Sequence, residues 1–503
     1  MSHKNQRKQF FLFIGLCLVF NFNVSCKKNN EIPISKDSIT ILYIGDERIF
    51  HQDYWGMDAA FWIFLPLVDY DSEPVLAESW SHTEDYKIWT VKLRKDIFWH
   101  DGVQMTAHDI KFSFELRDKI FGGYTRNLKC ELIDDFTFSL ILEQPITNLP
   151  VWEVYYPKHL LEGLDTNSYY DWDFWKNPVG NGPYKFVRSI PKTMVEVEAN
   201  PNYFRSPPKI KRVRLKFSKQ ASLQELLSGN VDAITSVPRD FLFKIDRDKF
   251  NEYYGWGSWI ETIFWNHNNL LFSDAKVRQA LTLAIDRIEL SEVLNYPDNV
   301  PITDVLYPNM QRETRNLPSP LPYDPDKAIQ LLKECGWEDT NGDGILDKNG
   351  VDFKFTLIVE KKRLMSTYIQ SNYRKIGIVM DIVNKERNIF KHQLSKNDFE
   401  AILSRFPNMN EELVRMRTFL GKNSYLGYHN SELDGIFDLI ESTGDIKKID
   451  SLYKKIATIL KRDFPVTFLF PIPHTNIVTK NIKGLQSVHK SGLIYSMETL
   501  WIE

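Results

Sequence analysis

The amino-acid sequence predicts an α/β chain of at least two compact units, and two observations carry that expectation. Short segments with the two-residue period of a strand alternate with segments of helical period, and no fixed repeat joins them. The chain also runs to 503 residues, beyond the roughly 250–300 at which one hydrophobic core stops growing.

The elements follow in chain order. A strand is expected over Thr40–Ile44, and Trp89–Arg94 alternates apolar and polar side chains as a half-buried strand does. Thr106-Ala107-His108-Asp109 reads as a capping box opening a helix whose apolar face includes Ile110 and Phe114. Gly180-Asn181-Gly182-Pro183 is a tight turn leading into a strand over Tyr184–Val187. Ser222–Ser228 reads as a short helix stopped by Gly229, with a strand at Val231–Ile234 directly after it. Ser273 is expected to cap a longer helix that lines up Val277, Ala280, Leu281, Ala284 and Ile285 on one face. Asp324-Pro325 starts another, ending at Gly336, and Ser431 with Asp434 forms a second capping box ahead of Ile436, Phe437 and Ile440.

Hydrophobic residues at 43% and charged residues at 26% are ordinary for globular domains, and the formal net charge is −3. The N-terminus qualifies that charge. Lys4, Arg7 and Lys8 precede the apolar run Phe10–Phe20, which is too short to span a bilayer but suits a secretory signal. Val24, Ser25 and Cys26 follow, then the polar stretch Lys27–Glu31. This resembles a bacterial lipoprotein signal, with Asn23 where Leu is usual. The resemblance implies a signal over 1–25, a diacylated Cys26 and a tether over 26–37, two acyl chains being what stable anchoring takes. Removing the three leader positives leaves about −6, and so mildly acidic a surface argues against a nucleic-acid partner. The remaining cysteines, Cys130 and Cys335, form no CxxC and no disulfide framework, and are expected to be buried and unpaired.

Two polar motifs have the residue types of a metal site. His100-Asp101 and His108-Asp109 have the look of a metal site, but the second pair already sits in a capped first helical turn. Asp339, Asn341, Asp343 and Asp347 fall at positions 1, 3, 5 and 9 of a calcium loop; Gly350 stands at position 12 where the bidentate Glu belongs, which favours an Asx-rich turn. No G-x-S-x-G, H-E-x-x-H or phosphate loop is present, so a binding protein is expected rather than an enzyme.

The segments Pro74–Trp80, Trp89–Arg94, Trp99–Gly102 and Thr106–Ile110 form an ordered series. It continues through Pro178–Tyr184, Ser228–Ala233, Phe272–Arg287, Tyr323–Trp337 and Gly427–Asp434. In this order the blocks resemble the signatures of family 5 extracellular solute-binding proteins, the oligopeptide, dipeptide and nickel receptors of ABC importers. The resemblance covers the chain from about Ile39 onward. It implies a two-lobed periplasmic-binding-protein clamp of type II, with mixed sheets flanked by helices. Lobe I would comprise 38–66, 181–265 and 473–503, with an inserted satellite domain over 67–180. Lobe II would span 267–472, with crossings near Asn266 and Pro471–Pro473. It further implies no cofactor, an ABC permease as membrane partner, and localisation at the extracytoplasmic face of the cell envelope.

The resemblance to the family's ligand residues is partial. Peptide-binding members seat the peptide amine on an acid in a D-Y-P-D-P stretch. The corresponding region here, Asp398–Glu412, lacks that acid and instead offers Arg405, with Glu411 and Glu412 as possible substitutes. An Arg there would favour an anionic group through a bidentate grip. Asp46, Glu47 and Arg48 follow the first strand where the family lines its cleft, with plain surface charge as the alternative. Trp256 and Trp259 precede the strand ending at Asn266, and serve either as cleft walls or as core. Short peptides are the leading ligand class, a carbohydrate or other small non-peptide solute is second, and a surface hydrolase or adhesin trails.

Overall fold

The computed structural model describes the chain from residue 37 onward, apart from 45–59, 61, 70–72, 122–127, 147–148, 150–154, 238, 298–299, 306–318, 361–362, 408–412, 444 and 486–496. Strand β1 (Ser38–Ile44) opens the fold. The chain then builds a separate four-stranded antiparallel sheet from β2 (Ala77–His82), β3 (Ile88–Leu93), β4 (Lys129–Asp134) and β5 (Thr137–Ile141), in the order β2-β3-β5-β4. In β3 the alternation is realised as read: Trp89, Val91 and Leu93 are buried while Ile88 and Lys92 are exposed. The helix Ala107–Phe121 follows β3, and its capping box is reciprocal. Thr106 N–H donates to Asp109 Oδ2 at 2.9 Å, and His108 N–H to Thr106 Oγ1 at 3.3 Å.

The chain returns to the first sheet through β6 (Tyr184–Ile190), β7 (Met194–Ala199) and β8 (Arg212–Ser218), with β8 lying parallel to β1 from Ser38↔Arg212 to Ile44↔Ser218. The short helix Leu223–Leu227 is capped by Ser222, and Gly229 supplies the left-handed φ of +74° that ends it. The strand after it is β9 (Ala233–Ile234), shorter than the expected Val231–Ile234, and it runs parallel to β1.

Two long strands extend this sheet into the second lobe. They are β10 (Phe250–Trp265) and, after the hairpin β11 (Asp347–Lys348) and β12 (Val351–Asp352) and strands β13 (Lys354–Val359), β14 (Val379–Asn384) and β15 (Ala401–Pro407), the strand β16 (Val466–Thr479). The result is one ten-stranded sheet in the order β14-β13-β15-β10-β16-β9-β1-β8-β7-β6. The antiparallel β10–β16 ladder breaks register between Trp256↔Pro473 and Ile260↔Pro471. Proline cannot donate to a ladder, and a bulge is where a sheet tolerates it, so Pro471 and Pro473 fall at the break for a physical reason. The break lies ahead of Asn266, where a crossing was expected.

Strand alternation divides lobe II into two packed layers. Ile263, Trp265, Leu357, Val359 and Leu403 face the helices Ala275–Leu283, Pro325–Glu334 and Leu364–Lys375. Ile260, Phe264, Ile358, Ile402 and Phe406 face Leu413–Leu420, Ser431–Ser442 and Ile446–Asp463. Two helix starts differ from the reading. Asp274, not Ser273, caps the first of these helices, its carboxylate accepting from Lys276 N–H, while Ser273 donates to Leu270 O. Asn430, not Ser431, caps the helix at 431, accepting from Leu433 N–H.

The Gly180–Pro183 turn packs against the backbone of Ile63: the N–H groups of Asn181 and Gly182 donate to Ile63 O at 2.9 and 2.7 Å. Asn181 Oδ1 in turn accepts from Leu65 N–H. His100 clips the same turn, one ring nitrogen bonding Gly180 N and the other Gly182 O, and burial holds its pKa down at about 4. Cys130 is buried and Cys335 half-buried; both are free, with burial pushing their thiols up to about 12 and about 11.

Candidate functional site

The strand registers locate the site. In lobe II, β13, β14 and β15 are mutually parallel, and β15 runs so that its carboxyl end, Pro407, lies beside Trp259 at the register break. In lobe I, β1, β8 and β9 are mutually parallel, and β9 ends opposite Ile477 with Val237 N–H bonded to Thr475 O, again beside the break. The carboxyl ends of both parallel sets therefore converge on Trp256–Ile260 and Pro471–His474. That edge is where open α/β sheets bind ligands, because loops there are free to vary while the strands stay fixed.

A charged cluster occupies this convergence. Glu261 on β10 is directly opposite Arg405 on β15, so both side chains lie on one face. The Glu261 side chain is 4% exposed, and Arg363, at the start of the helix after β13, closes on it with Nη1 at 3.0 Å from both carboxylate oxygens. Arg363 Nη2 also donates to Leu403 O at 3.3 Å, which fixes the guanidinium. Arg405 approaches the same carboxylate only through Nε at 3.7 Å, and its side chain is 58% exposed. His474, on β16, is pushed below the usual histidine pKa by burial and then by the positive charge of Arg405, so its ring is neutral near pH 7.

The residues anticipated from sequence fall out unevenly. Arg405 is in the cluster, and Trp259 is 38% exposed beside it. Trp256 lies at the register break in β10, and its side chain is outside the described residues, as are Cys26, Asp46, Glu47, Arg48, Glu411 and Glu412. Asn266 spends its side chain on structure. It is buried, with Nδ2 donating to Asn397 O and Phe399 O and Oδ1 accepting from Asn268 N–H, so its amide is spent on the fold of lobe II. In the 339–347 loop the oxygens turn onto the loop's own backbone: Asp339 accepts from Gly342 and Gly344 N–H, and buried Asp347 from Thr340 N–H and Oγ1. The histidine–aspartate pairs also disperse, His159 meeting Asp101 at 2.7 Å and Asp109 accepting from Lys158 N–H. Glu261 and Arg363 were missed. A lone acid amid Ile260, Thr262, Ile263 and Phe264 is a signal for Glu261, whereas Arg363 had none.

Comparison with known proteins decides the family. The description "bacterial extracellular solute-binding proteins, family 5 Middle" matches residues 71–424. The chain belongs to this family. Among its relatives, the oligopeptide-binding protein AppA of Bacillus subtilis is 28% identical over 525 aligned residues, covering 95% of this chain and 94% of AppA. The nickel-binding periplasmic protein of Escherichia coli is 23% identical, covering 65% of this chain and 66% of that one. The solved structure of Bacillus subtilis AppA in complex with a nonapeptide superposes with a TM-score of 0.66 at 26% identity, covering 93% of this chain and 99% of AppA. CtaP of Listeria monocytogenes reaches a TM-score of 0.79 at 22% identity, which attests the fold. As a family 5 solute-binding protein the chain is a two-lobed α/β clamp with a binding role exercised outside the cytoplasm. Among the described residues no helix is long and apolar enough to cross a membrane.

Proposed function

We propose that this family 5 protein captures short peptides between its lobes and delivers them to an ABC permease, tethered to the membrane by a lipid on Cys26. The observation that carries the peptide assignment is the full-length likeness to an oligopeptide-binding protein solved with a nonapeptide. The convergence of parallel-strand carboxyl ends on the β10–β16 crossing supports capture between lobes, since a ligand there touches both and favours the closed arrangement. A thermal-shift screen of short peptides, sugars and small anions tests the class. A bound peptide at a hundred times its Kd should stabilise the protein by about 2.7 kcal/mol. Stabilisation by sugars and none by peptides would replace the peptide reading with the carbohydrate one.

The tether has its own test. Cys26→Ser is expected to move the protein from the membrane fraction to the soluble one with its melting temperature unchanged. Unaltered partitioning would leave a plain secretory signal as the better account of residues 1–25.

A further inference from the structure

The surface of lobe I at the point where the tether joins it is basic and carries an exposed indole. Lys211 and Arg212 N–H donate to Asp37 O at 2.7 and 3.2 Å, so the chain from Cys26 enters the fold beside the segment that leads into β8. Ile210 is buried while Lys209 and Lys211 on either side of it are exposed, and this alternation turns both lysines outward together. The Lys209 ammonium lies 5.6 Å from the centroid of the Trp501 ring, and Trp501 is 36% exposed. Trp501 is directly opposite Lys483 in the small pair of strands β17 (Ile482–Lys483) and β18 (Trp501–Ile502), which puts those two side chains on one face. Glu503 neutralises Lys483 at 3.0 Å, and Glu498 neutralises Arg205 at 3.3 Å. Lys209 and Lys211 have no carboxylate partner among the described residues, Lys211 Nζ donating only to Pro208 O at 3.3 Å. Two unneutralised lysines beside a half-open indole are the side chains that suit a bilayer interface, where ammonium groups meet phosphates and an indole sits at head-group depth.

We propose that this face of lobe I rests on an anionic phospholipid surface, with Lys209 and Lys211 against the phosphates and Trp501 between the head groups. The proposal rests on the lipid tether for its proximity. Residues 26–37, twelve in all, span at most about 40 Å when fully extended, which keeps the face within reach of the bilayer. Held so near, it needs only weak contacts. Residues 67–180 hold 20 acidic and 11 basic residues, so the surface that attracts Lys209 and Lys211 repels that part of the chain. Attraction at the tether root and repulsion elsewhere bias the clamp toward one orientation on the membrane.

Co-sedimentation with vesicles tests the face apart from the tether. The protein is the unacylated mature chain, residues 26–503 with Cys26→Ser; the compact unit begins at Asp37, so the leader is not needed for the fold. The vesicles are phosphatidylcholine alone and phosphatidylcholine mixed with phosphatidylglycerol. At low salt the chain is expected to favour the phosphatidylglycerol vesicles by about thirtyfold, at about fivefold per lysine. The preference should vanish near 1 M salt, where screening reaches within about 3 Å. Lys209→Gln combined with Lys211→Gln should bind both vesicle types alike. Trp501→Ser should weaken binding to the anionic vesicles and leave its salt dependence in place. Melting curves matching the parent chain would show that these surface changes spare the fold. Equal partitioning of the parent chain to the two vesicle types, no partitioning to either, or undiminished binding by either variant overturns the proposal. The tether is read separately, from the mass of protein extracted from membranes. Salt-sensitive vesicle binding with no lipid on Cys26 would end the tether reading and sustain the face, whereas lipid on Cys26 with no vesicle binding would do the reverse.

Discussion

Asp304→Ala is expected to lower the unfolding free energy by about 3–5 kcal/mol, the range for stranding a buried charge. Arg287 Nη1 donates to Asp304 Oδ1 at 2.6 Å, with both side chains almost wholly out of solvent. The same guanidinium also serves Thr303 O, Phe468 O on β16 and Leu321 O, and Asp304 accepts from Leu321 N–H. The pair thus ties Thr303, Asp304 and Leu321 to the crossing strand. Without its carboxylate the guanidinium keeps its carbonyls but loses its counter-charge in a dry site. Urea denaturation should show a lower midpoint at unchanged slope. Replacing both residues by apolar side chains of similar volume should recover most of the loss. A drop below about 1 kcal/mol for the single variant would place this pair with ordinary surface ion pairs.

Gly180→Ala is expected to cost roughly as much, by a different mechanism. A Cβ at Gly180 would stand 2.0 Å from Ile63 O and 2.6 Å from Ile63 Cγ2, and the clash is with backbone, which cannot rotate away. Relief requires the turn to retreat from Ile63, breaking the bonds from Asn181 and Gly182 N–H and loosening the His100 clip. Overpacking of about 1–3 kcal/mol adds to the cost of each buried donor left unpaired, about 1–3 kcal/mol. Gly435→Ala is the matched control: this glycine lies inside the helix Ser431–Ser442 with nothing within 4 Å of an added Cβ. There alanine should stabilise by about 0.5–1 kcal/mol. Equal melting temperatures for the two variants would mean the Gly180 turn yields freely.

What the sequence revealed is what short-range physics encodes. The period of β3, the reciprocal box at Thr106 and Asp109, and the Asp324-Pro325 helix start are decided by neighbours a few residues apart. The caps at 274 and 430 were misplaced by one because Ser273-Asp274 and Asn430-Ser431 each put two competent cap residues side by side, and backbone geometry chooses. The crossing strands were expected from the resemblance alone, and their local pattern does not show them for another reason. Strand β10 passes from one lobe into the next with Tyr, Trp and Gly where alternation should show, because its two halves are buried against different partners. Arg405 was found through the resemblance, whereas its ion-pair partner lies 144 positions earlier on the facing strand. Arg363 enters from a third segment, and no local pattern links the three.

The β10–β16 crossing has a further consequence for affinity. Two hydrogen-bonded strands keep the half-sites of the lobes facing one another at a fixed span, so the second half-site meets a captured solute at high effective concentration. Contacts from either lobe alone can then be feeble, and their joint strength still suffices for retention. Were the lobes to part, the ribbon could bend at the proline-flanked bulge with no strand pair dissolved. On the capture-and-delivery proposal, tightness of capture and speed of hand-over would then be set by different parts of the molecule, the one by the side chains at the strand ends and the other by the stiffness of two strands.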